Sequence, residues 1–151
     1  MALQILEQHY DATELVLLGI KESGMIIARH VECYLAEYYK GSVVLASLQI
    51  DKKQPGDVLI DPLIDFNDKV VILIDDVANT GRTMLYALKP LLNSYPKKIQ
   101  TLALVERTYK SFPIALDYIG LSVATRLDEY IYVASEDSNA ISAYLDTISA
   151  K

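Results

Sequence analysis

The chain has 151 residues, 52% of them hydrophobic and 23% charged, enough for one domain with a substantial buried core and too apolar for a disordered chain. No apolar run approaches the roughly 18 residues of a membrane span, and a net charge of −6 opposes non-specific nucleic-acid binding. The start, Met1-Ala2-Leu3-Gln4, has no basic n-region, and the one cysteine, Cys33, has no partner for an internal disulfide, so a cytoplasmic protein is expected.

Residues Ala2 to His9 read as a short helix whose terminal His9 shows no partner pattern. Glu14 to Ile20 reads as a buried strand and Lys21-Glu22-Ser23-Gly24 as the loop after it. From Met25 to Tyr39, Ile27, Val31, Leu35 and Tyr38 recur at helical spacing; His30 is read as structural, and Gly41 ends the helix. Ser42 to Leu48 is a second buried strand, Asp51 to Asp57 a polar turn, and Val58 to Phe66 an ambiguous stretch with room for a short strand. Val70 to Ile74 is a third buried strand. Met84, Leu85, Leu88, Leu91 and Leu92 form one face of a helix that Pro90 kinks or ends. Ile99 to Val105 is a fourth strand, Asp117 to Gly120 starts or contains another, and Tyr130 to Val133 alternates like a half-exposed strand. Ser138 to Ile148, with Ile141, Tyr144, Leu145 and Ile148 on one face, closes the chain as a helix. Strand–helix–strand units imply a single α/β domain over residues 1–151, built on an open, mainly parallel sheet flanked by helices.

The segment Val70-Val71-Ile72-Leu73-Ile74-Asp75-Asp76-Val77-Ala78-Asn79-Thr80-Gly81-Arg82-Thr83 carries the most chemistry. Its unbroken apolar start fits a strand covered on both faces. Two carboxylates follow where such a strand leaves the core, and ligands of open parallel sheets bind beyond the carboxyl ends of the strands. The turn after them offers main-chain N–H groups at the start of a helical pattern, which favours an anion. Carboxylates beside an anion cradle point to a ligand with hydroxyls and a phosphate, held with a divalent metal. As isolated residues, Asp75-Asp76 fit helix capping or a solvated turn equally well. A P-loop NTPase is excluded, because no G-x-x-x-x-G-K-[ST] segment exists upstream. A phospho-acceptor receiver domain is excluded, because its acid pair follows the first strand and here at least two strands precede.

Val70 to Thr83 resembles, without a gap, the phosphoribosyl-pyrophosphate (PRPP) signature of the type I phosphoribosyltransferases. That resemblance implies the Rossmann-like fold of the family with a small or reduced hood. It implies catalytic and Mg²⁺-holding roles for Asp75 and Asp76, which would face the ribose hydroxyls, and a 5′-phosphate cradle made of Val77, Ala78, Asn79, Thr80, Gly81, Arg82 and Thr83. Lys21, Glu22, Ser23 and Gly24 resemble the family's pyrophosphate-binding loop, with Glu22 a departure from the basic residue near that position. Val105-Glu106-Arg107 with Phe112-Pro113-Ile114 and Asp117-Tyr118-Ile119-Gly120 resembles the pyrimidine-operon regulator and uracil phosphoribosyltransferase branch, called PyrR-like. It implies nucleobase contacts from Arg107, Tyr118, Ile119 and Gly120. Asn79 stands where purine-specific relatives often carry an acid, which leans the base towards a pyrimidine. Ile50 replaces an arginine near the start of the family's flexible loop, where Lys52 and Lys53 are the local cations. The expected reaction joins PRPP to a nucleobase, giving a nucleoside monophosphate and pyrophosphate. The alternative is a PRPP- or UMP-sensing regulator without turnover. A homodimer is implied by the family, RNA is disfavoured by the acidic balance, and no membrane is involved.

Overall fold

The computed structural model describes residues 1–50, 58–126, 128–137 and 140–147. In chain order these form α1 (Ala2–His9), β1 (Glu14–Ile20), α2 (Lys21–Ala36), β2 (Ser42–Ile50), β3 (Val58–Asp61), β4 (Val70–Ala78) and α3 (Arg82–Ala87). A 3-10 turn (Lys89–Asn93), β5 (Lys98–Arg107), β6 (Tyr118–Val123), β7 (Glu129–Asp137) and β8 (Ala140–Thr147) complete them. Six of these strands lie in one sheet, in the order β3-β2-β1-β4-β5-β6. Every pairing in it is parallel except β2 with β3. The chain leaves β1 towards one edge and β4 towards the other, so the crevice between the carboxyl ends of β1 and β4 is the topological switch point.

Alternation along β1 and β4 explains the apolar runs. Leu15, Leu17, Val70, Ile72 and Ile74 face α1 and α2, packing with Ile5, Ile27, Ala28, Val31 and Leu35. Val16, Leu18, Val71 and Leu73 face the other way, against Phe66, Met84, Ala87 and Leu91. Both faces are covered, as the unbroken runs require. No helix among the described residues is long and apolar enough to cross a membrane.

Four expectations are corrected. Lys21 to Gly24 is not a loop: α2 begins directly after β1, the turn being made by Lys21 at φ 57°. A side chain on Gly24 would put its Cβ 2.5 Å from the carbonyl oxygen of Ile74, so this glycine lets α2 lie on β4. The acid pair belongs to β4 itself, which pairs with β5 as far as Ala78. The closing helix is instead β8, paired antiparallel with β7. Ile141, Tyr144 and Leu145 fit helical spacing, but a tyrosine-rich neighbour decides otherwise. Tyr132 and Tyr144 stack with ring centroids 5.3 Å apart, and a cross-strand partner of this kind overrides local propensity. His9, finally, does have partners. It is buried, its Nε2 lies 2.5 Å from Gln100 Oε1, and Tyr118 joins the same network. The flexible-loop reading of Asp51 to Asp57, with Lys52 and Lys53, lies outside the described residues, while Ile50 is a buried end of β2 paired with Val58.

Candidate active site

A cleft of about 280 Å³ opens at the switch point. One wall comes from the start of α2, Lys21 and Ser23; the floor is Asp75 and Asp76 at the end of β4. The loop residues Val77, Ala78, Asn79, Thr80, Gly81 and Thr83 form the opposite wall, and Ile131, Tyr132 and Val133 of β7 close the mouth. The topology thus brings together two segments more than fifty positions apart in the chain, as the motif reading required.

Asp75 is only 7% exposed, and its Oδ1 accepts the main-chain N–H of Asp76 at 3.0 Å. Asp76 is half-buried. The loop then reverses at Gly81, whose φ of 80° is open to glycine at little cost. Its carbonyl accepts from Leu85 N–H at 3.0 Å as α3 begins, and Thr80 Oγ1 accepts from Arg82 N–H at 3.3 Å. Arg82 does not line the cleft. Its guanidinium lies over the ring of Phe112, 5.2 Å from the centroid. Asn79 donates from Nδ2 to the carbonyl of Ile131 at 3.1 Å, while its Oδ1 is buried without a partner among the described residues.

Of the pyrophosphate quartet, Lys21 and Ser23 face the cleft. Glu22 faces the neighbouring groove beside Arg29, Gln49 and Asp61, so the departure noted in the sequence is turned away from the carboxylate floor. The nucleobase quartet is not brought into the cleft. Arg107 donates from Nη2 to the carbonyl of Arg126 at 2.5 Å, and its buried Nε has no partner among the described residues. Tyr118 is 1% exposed, and its hydroxyl lies 2.9 Å from Gln100 Oε1 and 3.0 Å from Gln8 Oε1, two acceptors that share its one proton. Burial pushes this phenol up to about 12, with the Gln100 hydrogen bond pulling down and the Asp117 charge adding to the rise. Ile119 and Gly120 pass along β6 at the sheet edge, leaving main-chain groups rather than side chains for a base. The sequence reading missed Ile131 to Val133: their alternation signalled a strand but not where the strand would lie.

The residues fit a magnesium ion of the substrate-bridging kind. Among the described residues no cluster of three metal-ligating side chains exists. Two adjacent carboxylates suit an ion that keeps most of its ligands as water and substrate oxygens.

The sequence profile of the phosphoribosyl transferase domain matches residues 1–133. The chain belongs to the phosphoribosyltransferase family. It is 34% identical to the bifunctional protein PyrR of Staphylococcus carnosus, across 96% of this chain and 89% of that one. It is also 34% identical to the bifunctional protein PyrR of Ligilactobacillus salivarius, across 88% and 82%. Among solved structures, a hypoxanthine-guanine phosphoribosyltransferase from Bacillus anthracis superposes with a TM-score of 0.67 at 19% identity, covering 86% of this chain and 74% of that one. The hypoxanthine phosphoribosyltransferase of Trypanosoma cruzi gives 0.71 at 15% identity over 82% and 73%. Membership makes this chain a glycosyltransferase that moves a phosphoribosyl group, on the PyrR-like branch, and the fold is that of the type I enzymes with a two-stranded hood, β7 and β8.

Proposed function

We propose that this cleft binds PRPP with Mg²⁺ and transfers its ribose 5-phosphate to a pyrimidine base such as uracil. The observation that carries this reading is the adjacency of Asp75 and Asp76 to the 77–83 loop in one cleft, with Lys21 and Ser23 opposite. Asp75 and Asp76 accept hydrogen bonds from the ribose 2′- and 3′-hydroxyls, and they are the residues that would hold a magnesium ion. The loop amides and the Thr80 and Thr83 hydroxyls grip the 5′-phosphate. Lys21 and Ser23 hold the pyrophosphate. A bound Mg²⁺ ion offsets negative charge on the leaving pyrophosphate.

The bond between the anomeric carbon and the pyrophosphate oxygen breaks, its electron pair leaves with pyrophosphate, and a base nitrogen bonds to that carbon, its proton passing to the released pyrophosphate or to water. Positive charge grows on the ribose as the first bond lengthens, directly above the Asp75–Asp76 floor, where a carboxylate stabilises it. Asn79 has no basic group to take the proton, which supports a pyrimidine rather than a purine acceptor. The base lies towards Arg107 and the main-chain edge of Ile119 and Gly120. The protein acts in the cytoplasm and as a homodimer.

The relatives are named bifunctional, which supports a second reading in which the same site senses PRPP or UMP for a regulatory partner. Pyrophosphate release measured over uracil, cytosine, hypoxanthine, guanine, xanthine and orotate separates the two. Turnover with one base, abolished in Asp76→Asn, is expected. Binding of PRPP with no turnover on any base would leave the sensor.

A further inference from the structure

The connection between β5 and β6 does more than join two strands. Ser111 and Phe112 both donate their main-chain N–H groups to the carbonyl of Thr80, at 3.1 and 3.0 Å. The Thr80–Gly81 peptide is trans, so its C=O and N–H point in opposite directions. With the carbonyl held by Ser111 and Phe112, the Gly81 N–H points away from that connection, and Gly81 itself lines the cleft. The carbonyl oxygen of Phe112 also lies 3.3 Å from where a Gly81 Cβ would stand, which closes the space behind the glycine. The Phe112 ring carries the Arg82 guanidinium and keeps that side chain off the cleft. The Ser111–Phe112 segment therefore meets three successive loop positions: its main chain holds the peptide plane at Thr80 and approaches Gly81, and the Phe112 ring sets the side-chain direction at Arg82. Phe112 is half-buried and belongs to neither hydrophobic cluster of the sheet, so core packing does not account for it.

We propose that Phe112 is a positioning residue that holds the 77–83 loop with its amides aimed into the cleft and so sets affinity for the sugar-phosphate half of the substrate. This rests on the reading of that loop as the 5′-phosphate cradle. The same connection runs from Arg107 to Ile119 and Gly120, so it joins the proposed base wall to the phosphate wall. A preorganised loop forms its phosphate contacts without first being ordered, and a loosened one must be ordered at the moment of binding.

The test compares wild type, Phe112→Ala and Phe112→Tyr by calorimetric titration with ribose 5-phosphate and with inorganic pyrophosphate, and by hydrogen exchange of peptides covering residues 79–84. Phe112→Ala keeps the main-chain hydrogen bonds but removes the ring that seats them, and is expected to weaken ribose 5-phosphate binding up to about tenfold, the cost of ordering a loosened group at the moment of binding. Pyrophosphate affinity should stay within about twofold, because Lys21 and Ser23 are off this connection. Loop exchange should speed up in Phe112→Ala, and Phe112→Tyr should recover most of both losses by keeping a ring in place. Equal ribose 5-phosphate affinity and equal loop exchange in wild type and Phe112→Ala overturns the proposal, as does an equal loss of both ligands. If the wild type itself ignores ribose 5-phosphate, the cradle reading fails, and unchanged loop exchange in Phe112→Ala then removes the positioning role as well.

Discussion

The side-chain amide of Asn79 donates to the main-chain carbonyl of Ile131 across 3.1 Å, and through this bond the phosphate-side loop carries the β7–β8 hairpin. Because a carbonyl accepts only, the donor end of the amide must face Ile131, and Oδ1 is left buried and unpaired among the described residues. A group in that state gains from any ligand N–H or O–H that reaches it.

Asn79→Asp removes the donor and sets a carboxylate against the Ile131 carbonyl, whereas Asn79→Ala only removes the bond. Each should cost about 1–2 kcal/mol of unfolding free energy, the aspartate more than the alanine. Hydrogen exchange in β7 should quicken in both. Unchanged exchange at Ile131 to Val133 would show that the hairpin is held by something other than this contact.

Asp75 and Asp76 face different surroundings, and their variants should differ accordingly. Asp76→Asn removes a half-buried carboxylate that folding does not need, so the melting temperature should hold while kcat/KM falls about 10²- to 10³-fold. Asp75→Asn should lose activity to a similar degree, and Asp75→Ala should lose some stability too, since it removes the buried Oδ1 that accepts the Asp76 N–H. Steady-state kinetics with a magnesium titration, beside thermal melts, checks this. Activity retained in Asp76→Asn would remove the carboxylate floor from the mechanism.

Gly81, which lines the cleft, and Gly24, which lets α2 lie on β4, are required for different physical reasons. Gly81→Ala forces a side chain into the left-handed region at φ 80°, costing about 1 kcal/mol, and weakens substrate binding through the loop. Gly24→Ala leaves φ acceptable but drives a Cβ to 2.5 Å from the Ile74 carbonyl, so α2 must lift off β4 at a cost of about 1–3 kcal/mol. Urea titration should therefore rank Gly24→Ala as the more damaging to stability. Ribose 5-phosphate affinity should single out Gly81→Ala.

The parallel sheet was legible because β1 and β4 are apolar on both faces, a pattern that only a doubly covered strand needs. The carboxylate floor and the loop were legible because they are contiguous in sequence and sit where the apolar run stops. Ser23 and Lys21 could be read from their position after the first strand, but not the helical start that turns Glu22 out of the cleft. That depends on one backbone angle, at Lys21. The β7–β8 hairpin was misread as strand and helix because Ile141, Tyr144 and Leu145 recur at helical spacing, whereas in the strand Tyr144 lies on the face opposite Ile141 and Leu145, where it stacks on Tyr132. The Gln8–His9–Gln100–Tyr118 network was invisible, since its members are spread from position 8 to position 118 and none has a local signature.

That network makes an alkaline prediction. Tyr118 ionises at about 12 in the folded chain, against an ordinary value of 10.0. Below pH 10.0 the phenol is protonated in both states and its contribution to stability is complete. Between those two values the unfolded chain has released the proton and the folded chain has not, so the unfolded state binds fewer protons and stability falls as pH rises. Tyr118→Phe removes both the titration and the hydrogen bonds to Gln8 and Gln100, costing about 1–2 kcal/mol near neutrality. Its stability should decline less steeply in the alkaline window, so the gap between wild type and variant narrows as the base is added. Parallel urea-midpoint curves for the two proteins across that window would show that Tyr118 titrates like an ordinary phenol and that its burial has no effect on alkaline stability.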